Sequence, residues 1–150
     1  MTDQYWMQAA LALAEKAKQA GEIPVGALLV KDNQLIASGW NQPVTLSDPT
    51  AHAEVLVLRQ AGQILKNYRL LDTTLYVTLE PCPMCAGSML HARIKRLVFG
   101  AFDPKTGAAG SSCQLFHGHH VNHRIDVFGG VLADDCKTII QNFFAQQRAL

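Results

Sequence analysis

The stretch TLYVTLEPCPMCAGSMLHARIKRLVFGA, residues 74–101, carries the main argument for the fold. Its composition predicts a strand at 74–78, then a turn at 81–85 that leads into a helix ending at about Ala92. The following run, 96–101, is apolar at nearly every position, which is typical of a strand covered on both faces. Strand, helix and strand in this order predict an α/β fold.

The flanking segments continue the same alternation. The predicted elements are a helix capped by Thr2 or Asp3 and ending at Gly21, a hairpin of strands at 25–30 and 35–40, a loop at 41–50, a helix at 52–66, a long loop at 103–122, a strand at 124–128 and a closing helix at 132–148. We therefore expect residues 1–150 to form one domain, a three-layer α/β/α sandwich around a mixed five-stranded sheet.

The composition of the chain is that of a globular protein. With 49% hydrophobic and 17% charged residues, the 150-residue chain can bury a core, and its net charge of +1 argues against a histone-like protein. The charge is uneven, however, because residues 91–124 contain five Lys and Arg against Asp103 alone, a net of +4. Such a segment indicates either a solvated loop or a surface for a phosphate-bearing partner.

The ends of the chain and its cysteines indicate the compartment. We find no leader-like N terminus and no apolar run that approaches 18 residues, so we expect a cytoplasmic protein without membrane association. The four cysteines are too few and too unevenly spaced for a disulfide scaffold. In the cytoplasm a close cysteine pair indicates metal or redox chemistry more often than a structural disulfide.

Two short motifs together predict a metal centre. Residues 52–54 read His-Ala-Glu and residues 81–85 read Pro-Cys-Pro-Met-Cys. We expect His52, Cys82 and Cys85 to bind one zinc ion, which leaves a fourth position for water. Glu54 is placed to move a proton between that water and a leaving group, although it could also merely stabilise the first turn of a helix.

These motifs resemble those of the zinc-dependent nucleoside and nucleobase deaminases, whose fold is cytidine deaminase-like. Most of the chain further resembles the bacterial tRNA adenosine deaminases, which convert adenosine at wobble position 34 of the anticodon to inosine. The matching stretches are 24–27, 39–41, 48–54, 67–70, 75–87, 99–101, 103–111 and 122–124. The resemblance implies one Zn²⁺ per subunit, no organic cofactor, a homodimer and a tRNA anticodon stem-loop as partner.

The resemblance also implies roles for individual residues. Activated water attacks C6 of adenine, Glu54 protonates N1 and then the departing ammonia, and the backbone N–H of Ala53 holds the attacking oxygen. The resemblance implies Asn41 for the base and Asp103 for a contact to the preceding nucleotide, where its carboxylate can accept from a ribose hydroxyl. Lys105, His123 and Arg124 of the cationic segment are candidates for contacts to the RNA backbone. Phe143 and Phe144 lie on adjacent faces of the last helix, so we expect one in the core and assign Phe144 to RNA.

Several alternatives stay open at this point. The motif with Pro83 also resembles that of guanine and cytosine deaminases, so a free-base deaminase is the second hypothesis. The third hypothesis is a zinc module without catalytic activity. Phe102 occupies a position that is polar or charged in many relatives. The histidine-rich segment 117–123 could bind RNA, a metal or neither. Met84, Met89 and Leu90 could form a dimer interface or belong to the core.

Overall fold

The computed structural model describes all residues from 1 to 150. Its elements are α1 (Asp3–Gln19), β1 (Gly26–Lys31), β2 (Gln34–Trp40), α2 (Ala53–Leu65), β3 (Thr74–Leu79), α3 (Pro83–Ala92), β4 (Arg96–Ala101), β5 (Asp126–Phe128) and α4 (Ala133–Ala149). The number and order of the elements are those predicted. None of the four helices combines the length and apolar character that a membrane span requires.

The five strands form one mixed sheet in the order β2-β1-β3-β4-β5. β1 pairs antiparallel with both β2 and β3, whereas β3 and β4 are parallel, as are β4 and β5. Because β3 and β4 are parallel, the segments that follow them leave the sheet at the same edge. That edge receives Cys82 after β3 and Asp103 after β4.

Helices cover both faces of the sheet, which confirms the three layers. In β1, Ala27 and Leu29 belong to one core while Leu28 and Val30 belong to the other. Such alternation follows from the two-residue period of a strand. The first core is closed by α2 and α3, and the second by α1 and α4.

The last strand is shorter than predicted. β5 begins at Asp126 and not at Arg124, since it pairs only with residues 96–98 of β4. The preceding long loop contains no helix or named strand, as predicted, and only one isolated bridge, between Ala109 and Gln114.

An ion pair at the start of α1 provides a test of stability. The Asp3 carboxylate accepts hydrogen bonds from Tyr76 Oη (2.6 Å) and Arg96 Nη2 (2.9 Å). Burial opposes ionisation, but the hydrogen bonds from Arg96 and Tyr76 and the charge of Arg96 outweigh it, so the pKa of Asp3 is lowered. We expect Asp3→Asn to reduce the free energy of unfolding at pH 7 by about 1 kcal/mol, since the pair is partly exposed and screened.

The pH dependence of that difference follows from the sign of the shift. A lowered folded-state pKa contributes stability that is present above the unfolded value of about 3.9 and is lost as the pH falls through the folded value. Thermal melts of the wild type and Asp3→Asn should therefore converge in acid. A difference in melting temperature that stays constant from pH 7 down to pH 2 contradicts the assignment.

Candidate metal centre and active site

Two helix N-termini carry the predicted metal ligands. His52 is the N-cap residue of α2 and Cys82 that of α3, both with extended backbone, and neither side chain caps its helix. Both side chains are therefore available to a ligand, while the helix ends favour thiolate at the cysteines. Pro83 occupies the first helical position, where its lack of an N–H has no consequence.

The geometry of the three side chains suits a tetrahedral ion. His52 Nδ1 lies 3.6 Å from Cys82 Sγ and 3.5 Å from Cys85 Sγ. Metal–sulfur bonds of ~2.3 Å and metal–nitrogen bonds of ~2.1 Å at a tetrahedral angle separate nitrogen from sulfur by about 3.6 Å. Among the groups of three or more His, Cys, Asp or Glu side chains, only this one has the proximity to hold a metal.

The protonation state of Cys82 also favours a metal. Hydrogen bonds from Cys85 and His52 outweigh partial burial and lower the pKa of Cys82 to about 4. The same contact with Cys82, together with burial, raises the pKa of Cys85. Cys82 is therefore a thiolate at neutral pH, which is the form that coordinates metals.

Glu54 lies beside this group without belonging to it. Glu54 is only 4% exposed, and burial raises the pKa of its carboxyl to about 7. The charge of the nearby His52 acts in the opposite direction and lowers this pKa. It is not one of the three side chains whose ligand atoms converge. A buried carboxyl with a pKa near neutrality can both accept and release a proton.

Asn41 and Ala53 form a pair next to Glu54. The buried Asn41 side chain accepts a hydrogen bond from the Ala53 N–H through Oδ1 (2.8 Å), while its Nδ2 makes no hydrogen bond within the chain. The Ala53 N–H, expected to hold the attacking oxygen, is thus already engaged. In this geometry the Ala53 N–H orients the Asn41 amide, and the two N–H donors of Asn41 Nδ2 remain available to a ligand.

A cleft at the same sheet edge collects three of the predicted RNA contacts. Asp103, Lys105 and Phe144 line it together with Phe102. The Asp103 carboxylate accepts hydrogen bonds from the backbone of Lys105 and from both the N–H and the hydroxyl of Thr106, so it also shapes its own loop. Phe144 is 41% exposed and Phe143 only 6% exposed, which places Phe143 in the core and Phe144 in the lining of the cleft.

The other two predicted contacts lie elsewhere. The His123 ring bonds the carbonyl of Ile94 (2.9 Å), and the exposed Arg124 pairs with Asp126 (3.3 Å). Both are near the start of β4, whereas the cleft is at its end. Six strand residues at ~3.3 Å each separate the two places by about 20 Å. The structure therefore does not bring His123 and Arg124 together with Asp103.

The structure narrows two of the open alternatives, the metal role of segment 117–123 and the place of Met89, and leaves the RNA role of that segment and the interface role of Met84 and Leu90 as predictions. The segment 117–123 forms no metal group, and one of its rings, that of His120, is held by the carbonyl of Leu115 (2.7 Å). Met89 is fully buried in the core, while Met84 and Leu90 are partly buried against it.

Sequence reasoning missed two buried carboxylates near the site. Glu22 accepts hydrogen bonds from the N–H groups of Val44 and Thr45 and thereby holds the loop that follows Asn41. Glu80 holds the loop that follows Asp103. The only signal in the sequence is an acidic residue at the edge of an apolar run, which does not distinguish these two from surface acids.

Comparisons with known proteins agree with the geometry. The sequence profile of the MafB19-like deaminases matches residues 1–148. A tRNA-specific adenosine deaminase of Haemophilus influenzae is 54% identical over 147 residues, 97% of this chain and 85% of the relative. A solved structure from a study of A-to-I editing by tRNA:A34 deaminases superposes with a TM-score of 0.88 at 43% identity, covering 90% of this chain and 98% of the other. A guanine deaminase of Bacillus subtilis gives a TM-score of 0.65 at 34% identity over 79% of this chain and 86% of the other.

Proposed function

The chain belongs to the tRNA-specific adenosine deaminases of the MafB19-like deaminase family, and we propose that it hydrolyses adenosine 34 of a tRNA anticodon to inosine and ammonia. The observation that carries the proposal is the buried Glu54 beside a convergent His/Cys/Cys group. Its support is the similarity, over nearly the full chain, to relatives with that activity.

We propose zinc as the ion, one per chain, held by His52, Cys82 and Cys85. The mixed nitrogen and thiolate donor set and its tetrahedral spacing fit this metal. When bound with three protein ligands, zinc supplies a water whose pKa is lowered to about 7. No fourth His or Cys of the chain joins this group, so His52, Cys82 and Cys85 would leave one ligand position of a bound zinc to water.

Glu54 moves the protons of the reaction. Its carboxylate accepts a proton from the attacking water and delivers it to N1 of adenine, which makes C6 more electrophilic. A second transfer takes the remaining proton of that water to the amino group, so that ammonia leaves and the C6 oxygen stays on the base. Burial keeps the pKa of Glu54 near 7, which suits both directions of transfer.

Asn41 orients the base, and its replacement provides a test. We expect Asn41→Ala to lower kcat/KM on an anticodon stem-loop by about 10²-fold, because it removes the Nδ2 donor and leaves the Ala53 N–H unpaired. Asn41→Asp keeps the acceptor for Ala53 but loses the donor, so it should be nearly as inactive while retaining more stability. Full activity in Asn41→Ala contradicts this role.

The cleft at the end of β4 is proposed to bind the nucleotides next to the edited adenosine. Lys105 supplies a charge for phosphate, Asp103 an acceptor for a ribose hydroxyl, and the exposed ring of Phe144 a surface for a base. His123 and Arg124 lie about one strand length away, so they do not line the cleft of their own chain.

We also propose a homodimer of one-domain subunits that uses the surface between α2 and α3. That surface includes a cavity lined by Leu58 and Tyr68, and Tyr68 is 70% exposed. A light-scattering mass of twice 16.4 kDa supports the dimer, and a mass of 16.4 kDa contradicts it. A tRNA substrate further implies the cytoplasmic location expected from the sequence.

The experiment that tests the function compares substrates. Zinc-loaded protein is incubated with an A34 tRNA, with free guanine and with free cytosine, and ammonia release is followed together with nucleoside composition. The proposal predicts inosine in the tRNA and a rate on either free base that is lower by orders of magnitude. A free-base rate that matches or exceeds the rate on tRNA favours the free-base deaminase, and RNA binding without ammonia release favours the zinc module.

A further inference from the structure

Glu80 is a buried carboxylate that takes no part in the proton transfers of Glu54. It is 2% exposed and lies between the end of β3 and Cys82, where its own N–H donates to the carbonyl of Ala101 (2.8 Å). None of the ion pairs in the chain includes it. Its carboxylate is therefore satisfied by neutral donors alone.

All of those donors come from one loop, residues 103–111. Oε1 accepts from the N–H of Asp103 (3.0 Å) and from the hydroxyl of Ser111, and Oε2 accepts from the N–H groups of Ala109 (2.9 Å) and Ser111 (3.2 Å). Four hydrogen bonds thus tie both ends of the 103–111 loop to a single side chain. Buried polar groups that are satisfied this fully resist displacement.

The packing around the carboxylate leaves little room for movement. A Cβ at Gly107 would lie 2.4 Å from Glu80 Cδ and 2.5 Å from the carbonyl oxygen of Asp103, so only glycine fits there. The backbone adds a further tie, because the Ala108 N–H donates to the carbonyl of Pro81 (2.8 Å). Residues 80–82 thereby hold the loop and carry the metal ligand Cys82 in one continuous segment.

We propose that Glu80 is a positioning residue that fixes the 103–111 loop relative to the metal centre. The loop carries Asp103 and Lys105, so Glu80 sets where the flanking RNA is held when the target base reaches the metal. The identity of the ligand as RNA rests on the proposed function. The ordering of the loop by Glu80 is independent of that function. The role concerns substrate binding, because no atom of the adenine needs to contact Glu80.

The test is Glu80→Gln, which keeps the shape of the side chain but places an NH₂ group against donors of the loop. We expect hydrogen exchange at the amides of Asp103, Ala109 and Ser111 to accelerate by about tenfold or more. KM for an A34 stem-loop should rise by about tenfold while kcat stays within about threefold, with zinc content unchanged.

Asp3→Asn is the matched control, because it removes a carboxylate of α1 that is hydrogen-bonded to Arg96 at the start of β4, away from the loop. It should change stability without changing loop exchange or KM. Unchanged hydrogen exchange in Glu80→Gln overturns the proposal, and so does faster exchange with an unchanged KM.

If Glu80→Gln does not fold, Ser111→Ala provides a second test, because it removes a single donor to Glu80. Hydrogen exchange and KM should then each rise by about two- to threefold. No change in either quantity overturns the proposal. A wild type that makes no inosine refutes the proposed function, whereas the exchange result decides the ordering role independently.

Discussion

We expect Glu54→Gln to lower kcat for inosine formation by about 10³- to 10⁴-fold and to leave zinc content and RNA affinity close to those of the wild type. The reason is that the amide has the size of the carboxyl but cannot accept a proton from water, and general acid–base catalysis contributes a factor of this order. Since the side chain is buried and is not a metal ligand, the metal group persists without it. Single-turnover kinetics, metal analysis and a stem-loop binding assay measure the three quantities.

The matched control for this variant is Glu15→Gln. Glu15 is an exposed carboxylate of α1, on the opposite face of the sheet from α2. Its replacement should leave kcat unchanged. If Glu54→Gln retains more than a tenth of the wild-type kcat, Glu54 is not the group that moves the protons.

We expect Cys82→Ser to abolish both zinc binding and deamination. Serine does not supply a thiolate, and the remaining His52 and Cys85 form an incomplete set. Loss of the metal removes the group that would lower the pKa of the attacking water, so we expect activity to fall by at least about 10³-fold. Metal analysis after gel filtration and an ammonia assay give the two readouts.

Cys113→Ser is the control for the cysteine variant, because Cys113 is exposed and outside the metal group. It should keep one zinc per chain and full activity. Removal of zinc from the wild type by a chelator should reproduce the Cys82→Ser result, and re-addition of zinc should reverse it. Activity that survives in zinc-free protein contradicts the metal assignment.

The layered fold and the metal group could be predicted because local patterns determine them. The apolar run of β4 and the helical periods of 3.6 residues are local features of the sequence, and together they predict the alternation of helices with strands. The His-Ala-Glu and Pro-Cys-x-x-Cys motifs depend on short spacings next to helix starts, which the N-cap positions of His52 and Cys82 confirm. Such features need no knowledge of distant contacts.

The remaining features depend on contacts between residues far apart in the chain. The bond between Asn41 and Ala53 spans 12 residues, and the bonds from Glu80 to its loop span 23 to 31. Spacing in the sequence does not report such pairs, so neither the engaged state of the Ala53 N–H nor the role of Glu80 was predicted. The distance of His123 and Arg124 from the cleft is likewise set by their attachment to the start of β4.

The most direct test of the central claim is to react zinc-loaded protein with an A34 tRNA in heavy-oxygen water and to analyse the anticodon nucleosides by mass spectrometry. The account predicts inosine at position 34 that carries the heavy oxygen at C6, with one ammonia released per inosine and no product from Glu54→Gln. An A34 tRNA that remains fully adenosine under these conditions would contradict it.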